Sequence, residues 1–284
     1  MKIIYITDVH GNKAKYWHAL ESAKKNGAMA VINGGDMLPK DGDLHRDQRD
    51  FVEGFLDDYF SEFEKAGIHH IGFLGNDDLK IHDESFQRIC SKYPHAINLA
   101  QKRFKLGPFE FVGMNWVVDY PFQLKDRCRK DQKDYVFQRQ LGPGLLSTER
   151  GFQTIPDWFS FASTLPTIED ELDALPNPKN PRKTVYVIHM PPANVELDVC
   201  WSGEKVGSQA IYKFIEKNQP LLTLHGHIHE SPAKSGVWKA KVGKTISVQP
   251  GQLKPDSVSY AIIDLSTMKM ERFEDLLKVN RSFD

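Results

Sequence analysis

The sequence predicts an α/β fold on three observations. Short β-branched apolar runs alternate with helical periodicity in the first third of the chain, the alternation returns after residue 184, and Asp, Asn, His and Gly gather just beyond the runs. Short buried strands alternating with amphipathic helices form parallel sheets, whose ligands lie beyond the carboxyl ends of the strands. The residues that follow each strand therefore carry most of the functional information.

Taken in order, Lys2 to Thr7 reads as a first strand, after which Trp17, Leu20 and Ala23 recur at helical spacing until Gly27. Ala28 to Asn33 is the second strand. Phe51, Phe55, Leu56, Tyr59 and Phe63 mark a second amphipathic helix closed by Gly67, and Ile68 to Leu74 a third strand. Arg103 to Val118, interrupted by Gly107-Pro108, reads as a hairpin. Residues 119 to about 165 show no period and are expected to form an inserted lobe or long loop able to overhang a site, within a single domain over 1–284. Thr167-Ile-Glu-Asp reads as a capped helix start, and Pro176 to Pro181 as a turn-rich connector. Thr184 to Ile188, Ser208 to Asn218 and Leu221 to Leu224 repeat strand, helix and strand; Lys244 to Val248 and Tyr260 to Leu265 are expected to be antiparallel strands completing another sheet.

Composition narrows the function classes. The 284 residues are 40% apolar and 26% charged, and 37 Lys plus Arg against 38 Asp plus Glu leave a formal charge of -1. Without a basic block, nucleic acid and anionic membrane surfaces are disfavoured as partners. No apolar run reaches the roughly 18 residues of a membrane span, so no membrane insertion is expected. Three cysteines, Cys90, Cys128 and Cys200, are far apart and point to reduced thiols and a cytoplasmic protein. The N-terminal run lacks the length and cleavage site of a signal peptide.

Five strand ends carry chemistry: Asp8-Val-His10, Gly34-Gly-Asp36, Gly75-Asn76-Asp77-Asp78, His189, and His225-Gly-His227-Ile-His229. Asp8 and His10, two residues apart, can point to one side of an extended segment. Each element alone is as compatible with a helix cap, a turn or a core histidine as with a ligand. Together they supply the mixed nitrogen and oxygen donors suited to Mn, Fe, Zn or Ni, in numbers sufficient for two ions.

The order D-x-H, G-D-x-x-P (Gly35 to Pro39), G-N-x-D, H and G-H-x-H resembles the calcineurin-like metallophosphoesterase superfamily, and Gln249-Pro250-Gly251 is similar to its Asn-Pro-Gly turn. The resemblance implies a four-layer α/β/β/α sandwich of two mixed sheets flanked by helices. It implies Asp8, His10 and His229 on one divalent metal, Asn76, His189 and His227 on a second, and Asp36 bridging both, with manganese foremost and Fe, Zn or Ni as alternatives. The implied reaction is hydrolysis of a small phosphoester by a hydroxide held between the ions.

One position departs from that pattern, because Asp77 stands where the superfamily usually has the histidine that assists the leaving group. Two divalent ions, Asp8, Asp36 and a hydroxide sum to about +1, and an ionised Asp77 would cancel it, favouring monoanionic diesters over dianionic monoesters. Asp77 reads either as a general acid or as a structural, water-ordering residue, with His10 and His225 as substitute acids. Lys40, His45, Arg46 and Arg49 lie in an expected loop after Asp36 that could hold phosphate or be solvated. The amides at Gly207 and Ser208 could hold an anion, although Ser208 is equally a plain helix cap. Trp116, Tyr120 and Trp201 either line an apolar pocket or belong to the core. The main expectation is a dinuclear metal-dependent phosphoesterase that favours phosphodiesters or activated phosphoesters. A protein-interaction scaffold on the same fold, as in a retromer subunit, and a single-metal hydrolase are the alternatives.

Overall fold

A computed structural model describes residues 1–277. Two six-stranded mixed sheets stack face to face between helices. In the first, Lys2–Ile6, Ala30–Asn33, His69–Gly72 and Ala96–Asn98 run parallel side by side, and Ser257–Asp264 joins antiparallel to Lys2–Ile6 with Lys269–Leu276 at the edge. In the second, Phe109–Met114, Thr184–Ile188, Leu222–Leu224 and Thr245–Val248 are parallel neighbours, bordered by antiparallel Arg103–Leu106 and Lys239–Val242.

Alternation along the strands sorts the layers. Ile3 and Tyr5 point between the sheets, where they meet Phe111, Val185, Val187 and Leu224. Ile4 and Ile6 point the other way, into a core with Tyr16, Leu20, Phe60 and Phe63 from helices Lys13–Asn26 and Leu56–Ala66. On the far face, Tyr186 and Ile188 pack with Ile168, Leu172, Ile211 and Ile215. Burial on both faces explains why these strands are continuous apolar runs.

Several expectations need correction. Lys244 to Val248 and Tyr260 to Leu265 do not complete one sheet: Thr245–Val248 lies parallel to Leu222–Leu224 in the second, while Ser257–Asp264 pairs with the N-terminal strand in the first. Both are also antiparallel to an edge neighbour that the sequence reading did not identify. The segment expected as a loop up to Arg49 is helix Leu44–Asp50, capped by Asp43, and it runs through a π-helical turn, Phe51–Phe55, into Leu56–Ala66. Within 119 to 165 lie Cys128–Arg129, paired with Val117–Val118, a hairpin of Gly144–Thr148 and Gly151–Ile155, and helix Trp158–Ala162. Thr167 does cap Ile168–Asp173, reciprocally with Asp170.

Candidate metal centre

The carboxyl ends of the parallel strands of both sheets converge at one place. Beyond Lys2–Ile6 and Ala30–Asn33 the chain continues as two paired loops, in which Asp8 N–H donates to the Gly35 carbonyl and His10 N–H to that of Asp36, each at 3.0 Å. Asp8, His10, Asp36 and His227 all have positive φ, between 44° and 65°. Asp and His tolerate that region better than most residues, and a cluster of such conformations is characteristic of functional sites. Gly75 is required for close approach, since a Cβ there would strike the Asp36 carboxylate.

Two groups of donors form. Asp8, His10 and Asp36 bring ligand atoms within 4.8 Å of one another, and so do Asp36, His189 and His227. Asn76 Oδ1 belongs with the second group, 2.9 Å from His189 Nε2 and 2.6 Å from His227 Nδ1. The His229 ring stands edge-on to His10 with centroids 5.8 Å apart, beside the first group. Asp36 is the member common to both.

The electrostatics of these groups call for a cation. Asp8 Oδ2, both ring nitrogens of His10 and His229 Nδ1 are buried without a hydrogen-bond partner. Unpartnered buried carboxylate and imidazole atoms are costly unless an ion satisfies them. Burial holds His10 and His227 down to about 3, so both rings are neutral and able to ligate at neutral pH. Burial would also lower His189, but Asp36 and then Asp8 outweigh it and raise the ring to about 9. The His189 Nδ1–H donates to the Gly34 carbonyl at 2.7 Å, which turns Nε2 toward the centre. The donor set therefore fits transition-metal binding.

Further residues hold these ligands in place: Asp78 and Gln249 from motifs already marked in the sequence, Arg127 and Gln48 from outside them. Asp78 accepts from Gly75, Met37 and Leu38 N–H at 2.7 to 2.9 Å, clasping the loop of Asn76 to that of Asp36, and burial with Asp36 nearby pushes its carboxyl up to about 7. Buried Arg127 donates from Nε to the Gly75 carbonyl at 2.7 Å and forks onto Asp83. Gln48, between the two arginines singled out above, donates to the Asp77 carbonyl at 3.0 Å. Gln249 donates to the carbonyls of Gly226 and Ile228 on either side of His227, at 3.1 and 2.6 Å.

Other expectations fare differently. Arg46 and Arg49 are exposed, each paired with the next residue, Asp47 or Asp50 at 2.9 Å, and neither lines the cavity at the centre. Ser208 is fully buried; it caps helix Gln209–Asn218 and bonds Asp131, whose carboxylate also takes the Gln209 amide at 2.9 Å. An internal anion thus already occupies that helix end, so Ser208 is corrected from substrate contact to cap. Ser208→Ala is expected to cost about 1 to 2 kcal/mol of stability, read as a lowered urea midpoint with unchanged slope. His225 is no substitute acid: fully buried, its Nδ1 lies 3.0 Å from the Ile188 and Met190 carbonyls and its Nε2 2.7 Å from the Thr223 hydroxyl. Tyr120 and Trp201 line the cavity; Trp116 does not, and stacks on the Arg129 guanidinium at 3.8 Å. Asp77 lies on the cavity wall with 40% of its side chain exposed, its Oδ1 accepting from Asn76 Nδ2 at 2.7 Å.

Strand-end donors gathered at the carboxyl edges of two stacked sheets define an α/β sandwich with a candidate metal centre. The model of the calcineurin-like phosphoesterase family matches residues 1–231, and the chain belongs to that family. One solved structure aligns with a TM-score of 0.60 at 17% identity, over 98% of this chain and 99% of its own. The protein TT1561 of Thermus thermophilus aligns with a TM-score of 0.58 at 18% identity, over 96% of this chain and 97% of its own. At such identities the likeness concerns the fold. No curated protein matches the chain. Membership implies divalent metal ions, and the donor groups fit them. Among the described residues no helix is long and apolar enough to cross a membrane.

Proposed function

We propose that the chain is a dinuclear metal-dependent phosphoesterase that favours phosphodiesters. One observation carries this reading: two donor groups share Asp36 and open onto a cavity of about 590 Å³. Asp8, His10 and His229 would hold one divalent ion, Asn76, His189 and His227 the other, with Asp36 between them and manganese the first metal to try. Such a pair of ions, when bound, activates water and polarises phosphoryl oxygens. The residues of the chain orient that chemistry. Asp78 and Arg127 fix the loop that presents Asn76, and the Gly34 carbonyl fixes the His189 ring. The three free cysteines suit a reducing compartment such as the cytoplasm.

Asp77 sets the preference for diesters. Desolvation against the cavity wall, then Asp36 and Asp78, push its carboxyl well above the usual range, whereas cations bound at Asp36 would oppose that shift and favour the carboxylate. An ionised Asp77 repels a dianionic monoester more than a monoanionic diester. Asp77→His is expected to raise the monoester-to-diester ratio of kcat/KM about tenfold, measured with 4-nitrophenyl phosphate and bis(4-nitrophenyl) phosphate; an unchanged ratio would defeat the charge argument. The reading as a whole is tested by metal analysis with turnover of the diester. Two manganese ions per chain with diester hydrolysis support it, and one ion per chain would leave the single-metal hydrolase instead.

The scaffold alternative has one observation in its favour, the exposure of Phe122, Val136 and Leu141 at 62, 84 and 70%. Phe122 lines the cavity itself, and the Leu141 amide bonds the Pro121 carbonyl beside it. Apolar surface at the mouth of the site serves a substrate as readily as a partner.

A further inference from the structure

The wall of the cavity away from the donor groups has its own chemistry. Phe122 and Trp201 border it, 62% and 59% exposed, and half-buried Val206 adds to its apolar lining. No lysine or arginine lines it among the described residues, although substrates of a phosphoesterase are anions. The charged groups there are carboxylates: Asp36 and Asp77 at the centre, Asp119 paired with Lys125 at 2.8 Å, and Glu204 and Glu230 farther along. Neither glutamate is paired with a lysine or arginine among the described residues. Glu204 accepts from the Ser202 hydroxyl at 3.1 Å, and Glu230 lies 3.7 Å from His229 Nδ1. Glu230 also accepts the Trp201 amide at 3.4 Å, which ties the aromatic loop to the loop of His229.

We propose that this wall binds the second ester group of a phosphodiester, and that the group is a small organic cation on an alkyl frame, of the quaternary ammonium type. The proposal rests on the phosphoesterase reading above. Charge complementarity selects the occupant. A further phosphate or carboxylate would meet the carboxylates of Glu204 and Glu230, and no lysine or arginine on the lining. A neutral base or sugar could lie against Trp201, but it would leave Glu204 and Glu230 uncompensated as it displaced their water. An alkylammonium places its charge between aromatic faces and carboxylates, and its methyl groups against Trp201 and Val206.

The test compares 4-nitrophenyl phosphocholine with 4-nitrophenyl 3,3-dimethylbutyl phosphate, which replaces the quaternary nitrogen by carbon at nearly the same volume. The manganese-loaded protein is expected to prefer the choline ester at least about tenfold in kcat/KM. Trp201→Ala and Glu204→Gln, both at exposed positions, are each expected to lower the ratio of kcat/KM for the choline ester over the 3,3-dimethylbutyl ester, and a ratio unchanged in both variants overturns the assignment. Equal turnover of the two esters overturns the cation assignment and leaves the phosphoesterase reading standing. If neither ester turns over, the phosphoesterase reading fails and calorimetry with choline alone judges the wall: binding that Trp201→Ala removes supports the proposal, and absence of binding overturns it.

Discussion

Asp36→Asn is expected to lower diester turnover by about a thousandfold or more and to empty the metal centre. Residues that merely support a ligand typically cost 10- to 100-fold when removed, and a carboxylate shared by both donor groups should cost more. The substitution is nearly isosteric. An asparagine keeps an oxygen for the Asp77 amide, which donates to Asp36 Oδ1 at 2.9 Å, but removes the charge that lies 3.4 Å from His189 Nε2. Asp36 is held far below the usual carboxylate range: burial works against this, and His189 with its hydrogen bond overcomes it. The variant loses that ion pair together with a buried anion, so its stability should change little compared with its function. Metal content measured after dialysis, turnover and a thermal melt separate the outcomes. A folded variant that keeps two manganese ions, or that still hydrolyses the diester, would remove Asp36 as the shared ligand.

The strand ends were legible in the sequence because a parallel sheet places its ligands there, and apolar runs that stop at Asp, Asn or His show where the strands stop. Asp8, Asp36, Asn76, His189 and His227 could thus be placed together without coordinates. What could not be read depends on contacts between distant parts of the chain. Ser208 at a helix start looks like an anion site until Asp131, 77 residues away, is found occupying it. Arg127 stands in a stretch without periodicity, and nothing local connects it to the Gly75 carbonyl 52 residues away. Gln48 is a polar residue among charged ones, and only the fold reveals that it is buried under Asp77. The assignment of Thr245–Val248 and Ser257–Asp264 to different sheets likewise follows from which edge each reaches, since either strand offers a similar apolar run.

His70, which belongs to neither donor group, should make the protein sensitive to acid. The residue is fully buried on strand His69–Gly72, enclosed by the rings of Phe60, Phe63 and Tyr59 at 4.8, 5.5 and 5.8 Å, and neither ring nitrogen has a partner. Burial lowers its pKa from 6.5 to about 3. The folded state thus resists a proton that the unfolded chain accepts readily. Stability from this group is complete above the unfolded pKa and falls as pH drops from about 6.5 toward about 3, because the unfolded chain then binds more protons. Between about pH 8 and about pH 4 the loss comes to about 3 kcal/mol. His70→Phe keeps an aromatic ring in the aromatic cage and removes the titration. Urea unfolding of both proteins at the two pH values isolates the effect, since every other titrating group is common to them. The wild type is expected to lose about 3 kcal/mol more than the variant, whereas an equal loss would mean that His70 takes up its proton without disturbing the native fold.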